Sequence, residues 1–217
     1  MAKDFIWHEL YDLMEEDRCP VCALIEKRTQ QAMDRFLFDS VNDRGLRQKM
    51  AAAHGFCNFH AHQLREMGDP LAHAILYTDF LEQLSAEIAA GKPKKLQAYS
   101  GRTDCLFCDN ARTGETSYVA VMAEGLADEA FAAKYEQGGL LCAAHTALLL
   151  VKCRWKPALA EKLIRINQKK YRHMVEVLAE IKRKNDYQNQ HEPWTEEEKQ
   201  MWKKVVSVMN DEAGIRK

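Results

Sequence analysis

The chain has 217 residues, of which 47% are hydrophobic and 29% charged, as in ordinary soluble proteins with one large or two small domains. Its 31 Lys and Arg residues nearly balance 32 Asp and Glu residues, so the formal net charge is -1. Proteins that bind nucleic acid usually carry a basic excess, so this balance does not favour nucleic-acid binding.

The N-terminal residues do not resemble a secretion signal. Acidic residues follow Met1 before any apolar stretch develops, whereas a signal peptide has a basic start and an apolar core. The longest apolar run, residues 146–151, is far shorter than the roughly 20 residues of a membrane helix. We therefore expect a cytoplasmic protein without a membrane span, whose thiols stay reduced. Seven cysteines in that setting indicate metal or redox chemistry before disulfides.

In the first half of the chain, a helical pattern follows each of two cysteine elements. Residues 19–22, Cys-Pro-Val-Cys, precede a stretch whose apolar residues recur at helical spacing over 24–37. Residues 57–60, Cys-Asn-Phe-His, precede a second such stretch over 62–67. A third helix is predicted over residues 71–90, because a glycine and then a proline follow its last apolar positions.

The cysteine pattern occurs a second time in the other half of the chain. Each copy has a C-x-x-C element followed by a C-x-x-H element, with 34 residues between the two elements in the first copy and 33 in the second. Of the histidines near Cys57, only His60 has a counterpart at the same offset from Cys142, which is His145. Helical spacing again follows each element. The nearly equal spacers predict an internal duplication.

Two further helices are predicted after the second copy. A long helix is expected over residues 155–184, because its apolar residues lie along one face. After a polar stretch, Thr195 and Glu198 form a capping-box pattern that predicts the start of a last short helix, which runs to Met209. Strand patterns are scarce throughout the sequence. We therefore predict an all-α fold with two tandem helical repeats and a long C-terminal helix.

The two elements suit a metal ion, most simply zinc. A structural zinc site takes four tetrahedral N or S ligands from the protein. Cysteines at positions i and i+3 place two sulfurs on one side of a helical turn, and the free N–H groups at a helix start favour the thiolate. If two helix starts face each other in each repeat, they form a Cys3His site. The predicted ligands are Cys19, Cys22, Cys57 and His60 in site one, and Cys105, Cys108, Cys142 and His145 in site two.

Other interpretations of the cysteines stay open at this point. An iron–sulfur cluster is the main rival to zinc, because C-x-x-C also binds iron and histidine can replace one cysteine. A closed shell of four protein ligands leaves no position for a metal-bound water, so we expect a non-enzymatic protein. Cys153 stands outside the repeated pattern and is interpreted as a small buried residue.

These motifs resemble an uncharacterised family of bacterial proteins, known only as a domain of unknown function. Its members pair C-P-x-C with G-F-C-x-x-H twice and end in a segment like residues 186–194 of this chain, Asp-Tyr-Gln-Asn-Gln-His-Glu-Pro-Trp. The second copy here departs from the pattern, with Leu106 in place of proline and Leu140-Leu141 in place of Gly-Phe. The resemblance implies no activity.

The sequence predicts three regions and two rival functions. A stretch rich in Lys and Gly, residues 91–104, indicates a boundary between a first metal-binding repeat over 1–91 and a second repeat with the long helix over 92–186. Residues 187–217 form a C-terminal segment with the short helix. We expect a zinc-stabilised module that binds a protein partner or itself, with a contact near residues 187–194. The alternative is an iron–sulfur redox protein, or a protein that delivers metal or clusters.

Overall fold

The computed structural model describes residues 4–91, 93–99, 105–212 and 214, and every regular element in these ranges is helical. A π-helix, Phe36–Ser40, directly continues the second α-helix. No strand occurs in the described ranges, which confirms the predicted all-α class. The α-helices are α1 (Phe5–Leu13), α2 (Pro20–Arg35), α3 (Arg44–Ala52), α4 (Asn58–Met67), α5 (Pro70–Ala89), α6 (Pro93–Gln97), α7 (Leu106–Gly125), α8 (Glu129–Gln137), α9 (Ala143–Lys152), α10 (Pro157–Lys184) and α11 (Glu196–Asn210).

The helices predicted over residues 71–90, over residues 155–184 and from Thr195 to Met209 are confirmed as α5, α10 and α11. The capping box of α11 is present in full: Glu198 N donates to Thr195 Oγ1 at 3.1 Å, and Thr195 N donates to Glu198 Oε2 at 2.7 Å. Each bond satisfies a backbone N–H group that the helix itself leaves free. Although α10 has 28 residues, no helix in the described part of the chain is both long and apolar enough to cross a membrane.

The chain divides into two compact units. Unit 1 contains residues 1–25 and 115–217, and unit 2 contains residues 26–114. Helices α2 and α7 each contribute residues to both units. The predicted regions, 1–91, 92–186 and 187–217, follow the repeated sequence pattern and stay a prediction; part of the predicted boundary stretch, residues 91–104, lies outside the described residues.

The core of unit 1 includes a pairing of its two C-terminal helices. Helices α10 and α11 pack together through buried apolar side chains, and the ion pair between Lys184 and Glu198, at 2.9 Å, joins them. Helix α1 packs on α8, where the rings of Trp7 and Phe131 lie 5.2 Å apart. The buried side chains of the α10–α11 cluster are Leu140, Met174, Val177, Met201 and Val208.

The core of unit 2 is built around three phenylalanines. Phe56 and Phe107 stack with ring centroids 5.4 Å apart, and Phe36 meets both rings edge-on. Phe56 immediately precedes Cys57, and Phe107 lies inside the second C-x-x-C element. This aromatic contact therefore brings the C-x-x-H element of the first copy next to the C-x-x-C element of the second.

Candidate metal centres

In unit 1, two helix starts present the sulfur and nitrogen donors. The carbonyl of Cys19 accepts the first hydrogen bond of α2, from Ala23 N at 2.9 Å, and Cys22 lies one turn further along. Cys142 caps α9, where its Sγ accepts a hydrogen bond from His145 N at 3.4 Å. Both helix starts direct N–H groups and a positive partial charge towards the sulfurs, which favours thiolates.

The four donors of unit 1 converge on one point. His145 Nδ1 lies 3.4 Å from Cys19 Sγ, 3.3 Å from Cys22 Sγ and 3.0 Å from Cys142 Sγ. The sulfurs of Cys22 and Cys142 are 3.9 Å apart. All four residues are buried, and their donor atoms lie within 4.8 Å of one another. This arrangement can hold one metal ion.

Unit 2 repeats the arrangement with the other four residues. Cys57 caps α4 and accepts a hydrogen bond from His60 N at 3.4 Å, as Cys142 does on α9. His60 Nδ1 lies 3.2 Å from Cys57 Sγ, 3.5 Å from Cys105 Sγ and 3.4 Å from Cys108 Sγ. The sulfurs of Cys57 and Cys108 are 3.8 Å apart. Each unit therefore contains a complete Cys3His group.

The predicted pairing of the elements is wrong, although the structure gathers all eight predicted residues into two groups. Each C-x-x-C element meets the C-x-x-H element of the other copy: Cys19 and Cys22 join Cys142 and His145, and Cys57 and His60 join Cys105 and Cys108. Packing inside each unit explains the difference. In unit 2, Phe56 beside Cys57 stacks on Phe107 of the second C-x-x-C element. In unit 1, Gly139 N, shortly before Cys142, donates to the carbonyl of Met14, shortly before Cys19.

A carboxylate contacts the unit 1 histidine at the ring nitrogen that does not face the sulfurs. Glu115 Oε1 lies 3.0 Å from His145 Nε2, while Nδ1 of the same ring faces the three sulfurs. If Nδ1 binds the metal, Nε2 carries the proton and donates it to Glu115. Metal-binding histidines commonly donate to a carboxylate in this way, which orients the ring and makes it a stronger ligand. Glu115 is thus a positioning residue for this site.

The donors of unit 1 bind protons unequally. Burial disfavours the Cys19 thiolate, but hydrogen bonds with Cys142 and Cys22 outweigh it and lower the pKa of Cys19 well below its usual value. Hydrogen bonds with Cys142 and Cys19 raise the pKa of Cys22. Burial opposes the His145 imidazolium, yet contacts with Cys142, Cys19 and Glu115 raise the pKa of His145 to about 11. A metal ion must displace these protons when it binds.

The family and the relative that match this chain are described without an activity. A family model described as "Family of unknown function (DUF6062)" matches residues 6–211. The chain belongs to this family. An "Uncharacterized 23.9 kDa protein in xynA 3'region" from Caldicellulosiruptor sp. (strain Rt8B.4) is 34% identical over 200 residues, which cover 90% of this chain and 96% of that protein. No solved structure matches the chain. Membership of DUF6062 confirms the resemblance, and functional inference depends on the geometry of the two centres.

Two residues that position parts of the unit 1 centre are not identified by the sequence patterns. Glu115 is one; the other is Lys170, whose Nζ donates to the backbone carbonyls of Tyr135, Gly138 and Gly139. These carbonyls belong to the end of α8 and the loop that leads to Cys142. Burial lowers the pKa of Lys170 to about 8. Neither residue belongs to a motif, so only the packing of α7 and α10 identifies them.

The same loop requires glycine where it meets the segment before Cys19. Gly139 N donates to the carbonyl of Met14 at 2.6 Å. A side chain at Gly138 would place its Cβ 2.2 Å from that carbonyl oxygen, which no packing could accommodate. Gly139 itself has a φ of 44°, in the left-handed region that favours glycine. This close approach aligns the chain before Cys142 with the chain before Cys19.

The two centres differ in exposure and in their surroundings. All four donors of unit 1 are buried, whereas Cys108 of unit 2 is partly exposed. The carboxylate that contacts the unit 1 histidine, Glu115, lies seven residues after Cys108 of the second C-x-x-C element. The equivalent position after the first C-x-x-C element, seven residues after Cys22, is Thr29, which carries no charge. Cys153 belongs to neither group; it is 1% exposed, as a small buried residue should be, and burial raises the pKa of its thiol.

Proposed function

We propose that the chain is a zinc-stabilised, non-enzymatic helical protein that binds another protein. The observation that carries the metal assignment is the distance between donors. With Zn–S bonds of about 2.3 Å and Zn–N bonds of about 2.0–2.1 Å, a tetrahedral site separates two sulfurs by about 3.8 Å, and a sulfur from a nitrogen by about 3.6 Å. The sulfur separations of 3.8 and 3.9 Å agree with these values, and the Nδ1–Sγ distances of 3.0–3.5 Å are slightly shorter.

The same distances count against an iron–sulfur cluster. In a cluster, the protein ligands bind different iron atoms, so their donor atoms lie farther apart than the ligands of one tetrahedral ion. Here every donor atom lies within 4.8 Å of the others in its group. Thiolate and imidazole ligands in a tetrahedral arrangement suit zinc among single ions.

The expected role of the metal is to hold helices together. Each group already supplies four protein donors, so no coordination position is left for a reacting water or substrate. Each group also joins the start of one helix to the start of another. Structural zinc contributes about 10 kcal/mol or more to the folding of small metal domains. Six of the seven cysteines belong to the two groups, and the setting that we propose for such thiolate ligands is reducing and cytoplasmic.

Metal delivery is the second candidate, and the exposure of Cys108 is the observation that favours it. A metal-delivering site needs a ligand that a thiol of an acceptor can reach, because exchange proceeds through a shared ligand. Cys108 is partly exposed, whereas the other seven donors are buried. This candidate predicts rapid transfer of zinc from unit 2 to an acceptor protein, while a structural role predicts slow transfer from both units.

The metal assignment is tested by elemental analysis of protein purified without oxygen, together with its visible spectrum. We expect about two zinc atoms per chain and no visible absorption, because zinc has no redox or d-electron transitions. A Cys153→Ser variant serves as the control and should keep the same metal content. Iron with an equal amount of sulfide would overturn the zinc assignment, and protein without metal would overturn the metal-binding function itself.

A further inference from the structure

The surface beside the unit 1 centre carries an apolar groove with an exposed tryptophan at its edge. The groove has a volume of about 500 Å³ and runs between α7 and α9. Val119 forms its buried floor, and Leu148 and Val151 line the wall on α9. Trp155 lies at the end of the groove and is 81% exposed. A large apolar side chain left in water beside an apolar groove is typical of a binding surface.

The rim of the groove is basic. Lys152 and Arg154 both line it, and both are exposed. Within the described part of the chain, neither side chain forms a salt bridge with a carboxylate. Arg154 lies over the ring of Trp155, 5.3 Å from its centroid. The acid in the lining, Glu115, is already engaged with His145. The unmatched charge at this rim is therefore positive.

We infer that this groove binds an acidic, amphipathic helical segment of another protein. An apolar floor at Val119 and a helical wall with apolar side chains at positions i and i+3, Leu148 and Val151, suit a helix that lays its apolar face in the groove. The basic rim would then meet acidic residues on the flanks of that helix. Aliphatic walls favour a peptide over nucleic acid, because a single strand needs a series of aromatic stacking platforms along its path and the groove lining supplies one, Trp155. This inference rests on the proposed protein-binding function and names its surface and partner class.

The groove is connected to the metal centre of unit 1. Its α7 wall contains Glu115, which bonds to the ligand His145, and its α9 wall belongs to the helix that Cys142 caps. The hydrogen bond between Glu115 and His145 joins the two walls, so a metal ion bound by His145 would fix their spacing. Removal of zinc from unit 1 is expected to abolish binding at the groove, even though no groove residue is a metal ligand.

The test is a selection from a phage library of random peptides on the zinc-loaded full chain, followed by anisotropy measurements with the most enriched synthetic peptide. We expect acidic peptides with apolar residues at i, i+3 or i+4, and i+7. Trp155→Ala should weaken the selected peptide at least about tenfold, as removal of a central aromatic anchor typically does. The matched control is Trp202→Ala, because Trp202 is 52% exposed on α11, outside the groove.

A charge exchange separates binding from general damage to the fold. The double variant Lys152→Glu, Arg154→Glu should lose the acidic peptide and bind the same peptide with Lys at its acidic positions. Failure to enrich any peptide that Trp155→Ala loses and Trp202→Ala keeps would overturn the inference. So would a single-stranded DNA oligomer that displaces the peptide, or a dimer that depends on Trp155 in sedimentation. Zinc content is measured on the same samples, so failure of the metal assignment is recognised separately.

Discussion

Glu115 should determine how tightly unit 1 holds its metal ion. Its carboxylate lies 3.0 Å from His145 Nε2 and its side chain is 18% exposed, so little water competes for this hydrogen bond. Glu115→Gln keeps an acceptor oxygen but removes the charge, and Glu115→Ala removes both. Loss of such a partner weakens metal binding about 10- to 100-fold, or about 1.4–2.7 kcal/mol. We expect Gln near the lower value and Ala near the upper value.

The assay is competition for zinc with a chromophoric chelator, combined with mapping of the released cysteines by alkylation and mass spectrometry. In the Glu115 variants, one of two zinc ions should leave at lower chelator concentration, and Cys142 should lose its protection first. Glu124→Gln is the matched control, because Glu124 is exposed on the same helix. If Glu115→Ala behaves like this control, or if Cys57 is released first, the assigned role of Glu115 is wrong.

Three further outcomes are expected. Lys170→Met should lower the free energy of unfolding by about 1–3 kcal/mol, because three carbonyls lose a charged donor. Lys169→Met, at an exposed position, should leave the melting temperature unchanged. Equal effects of the two variants would contradict the role of Lys170. A thiol reagent added to zinc-loaded protein should modify Cys108 before the other ligands, and simultaneous modification would show that its exposure is irrelevant. Zinc affinity should fall as the pH falls, because His145, with its pKa raised to about 11, holds a proton that zinc must displace. Equal zinc affinities from chelator titrations at about pH 6 and pH 8 would refute this prediction.

The composition of the two centres could be predicted from local spacing, but their grouping could not. C-x-x-C and C-x-x-H each describe a single helical turn, and the structure places those turns at the starts of α2, α4, α7 and α9 as such spacing requires. Which turns meet depends on packing between residues that are far apart in the sequence. The stacking of Phe107 on Phe56 joins elements from different copies, and neither residue reveals its partner in the sequence.

The ends of helices were likewise predictable where local chemistry determines them. Thr195 and Glu198 specify their own capping box, because both hydrogen bonds form within four residues. The contribution of Lys170 could not be found this way, because its hydrogen-bond acceptors lie about 30 residues earlier and are backbone carbonyls. Every residue has a backbone carbonyl, so the residue type at the accepting positions does not indicate the contact, and only the packed structure shows it.

The central claim is that each metal centre takes one element from each copy of the pattern, and paired cysteine variants test it most directly. Cys19→Ala with Cys142→Ala removes two donors from one group and leaves the other group intact. Cys19→Ala with Cys57→Ala removes one donor from each group. Measured in the presence of a moderate chelator, the first variant should retain one zinc per chain and the second should retain none. One zinc in the second variant and none in the first would restore the pairing within each copy and contradict the account.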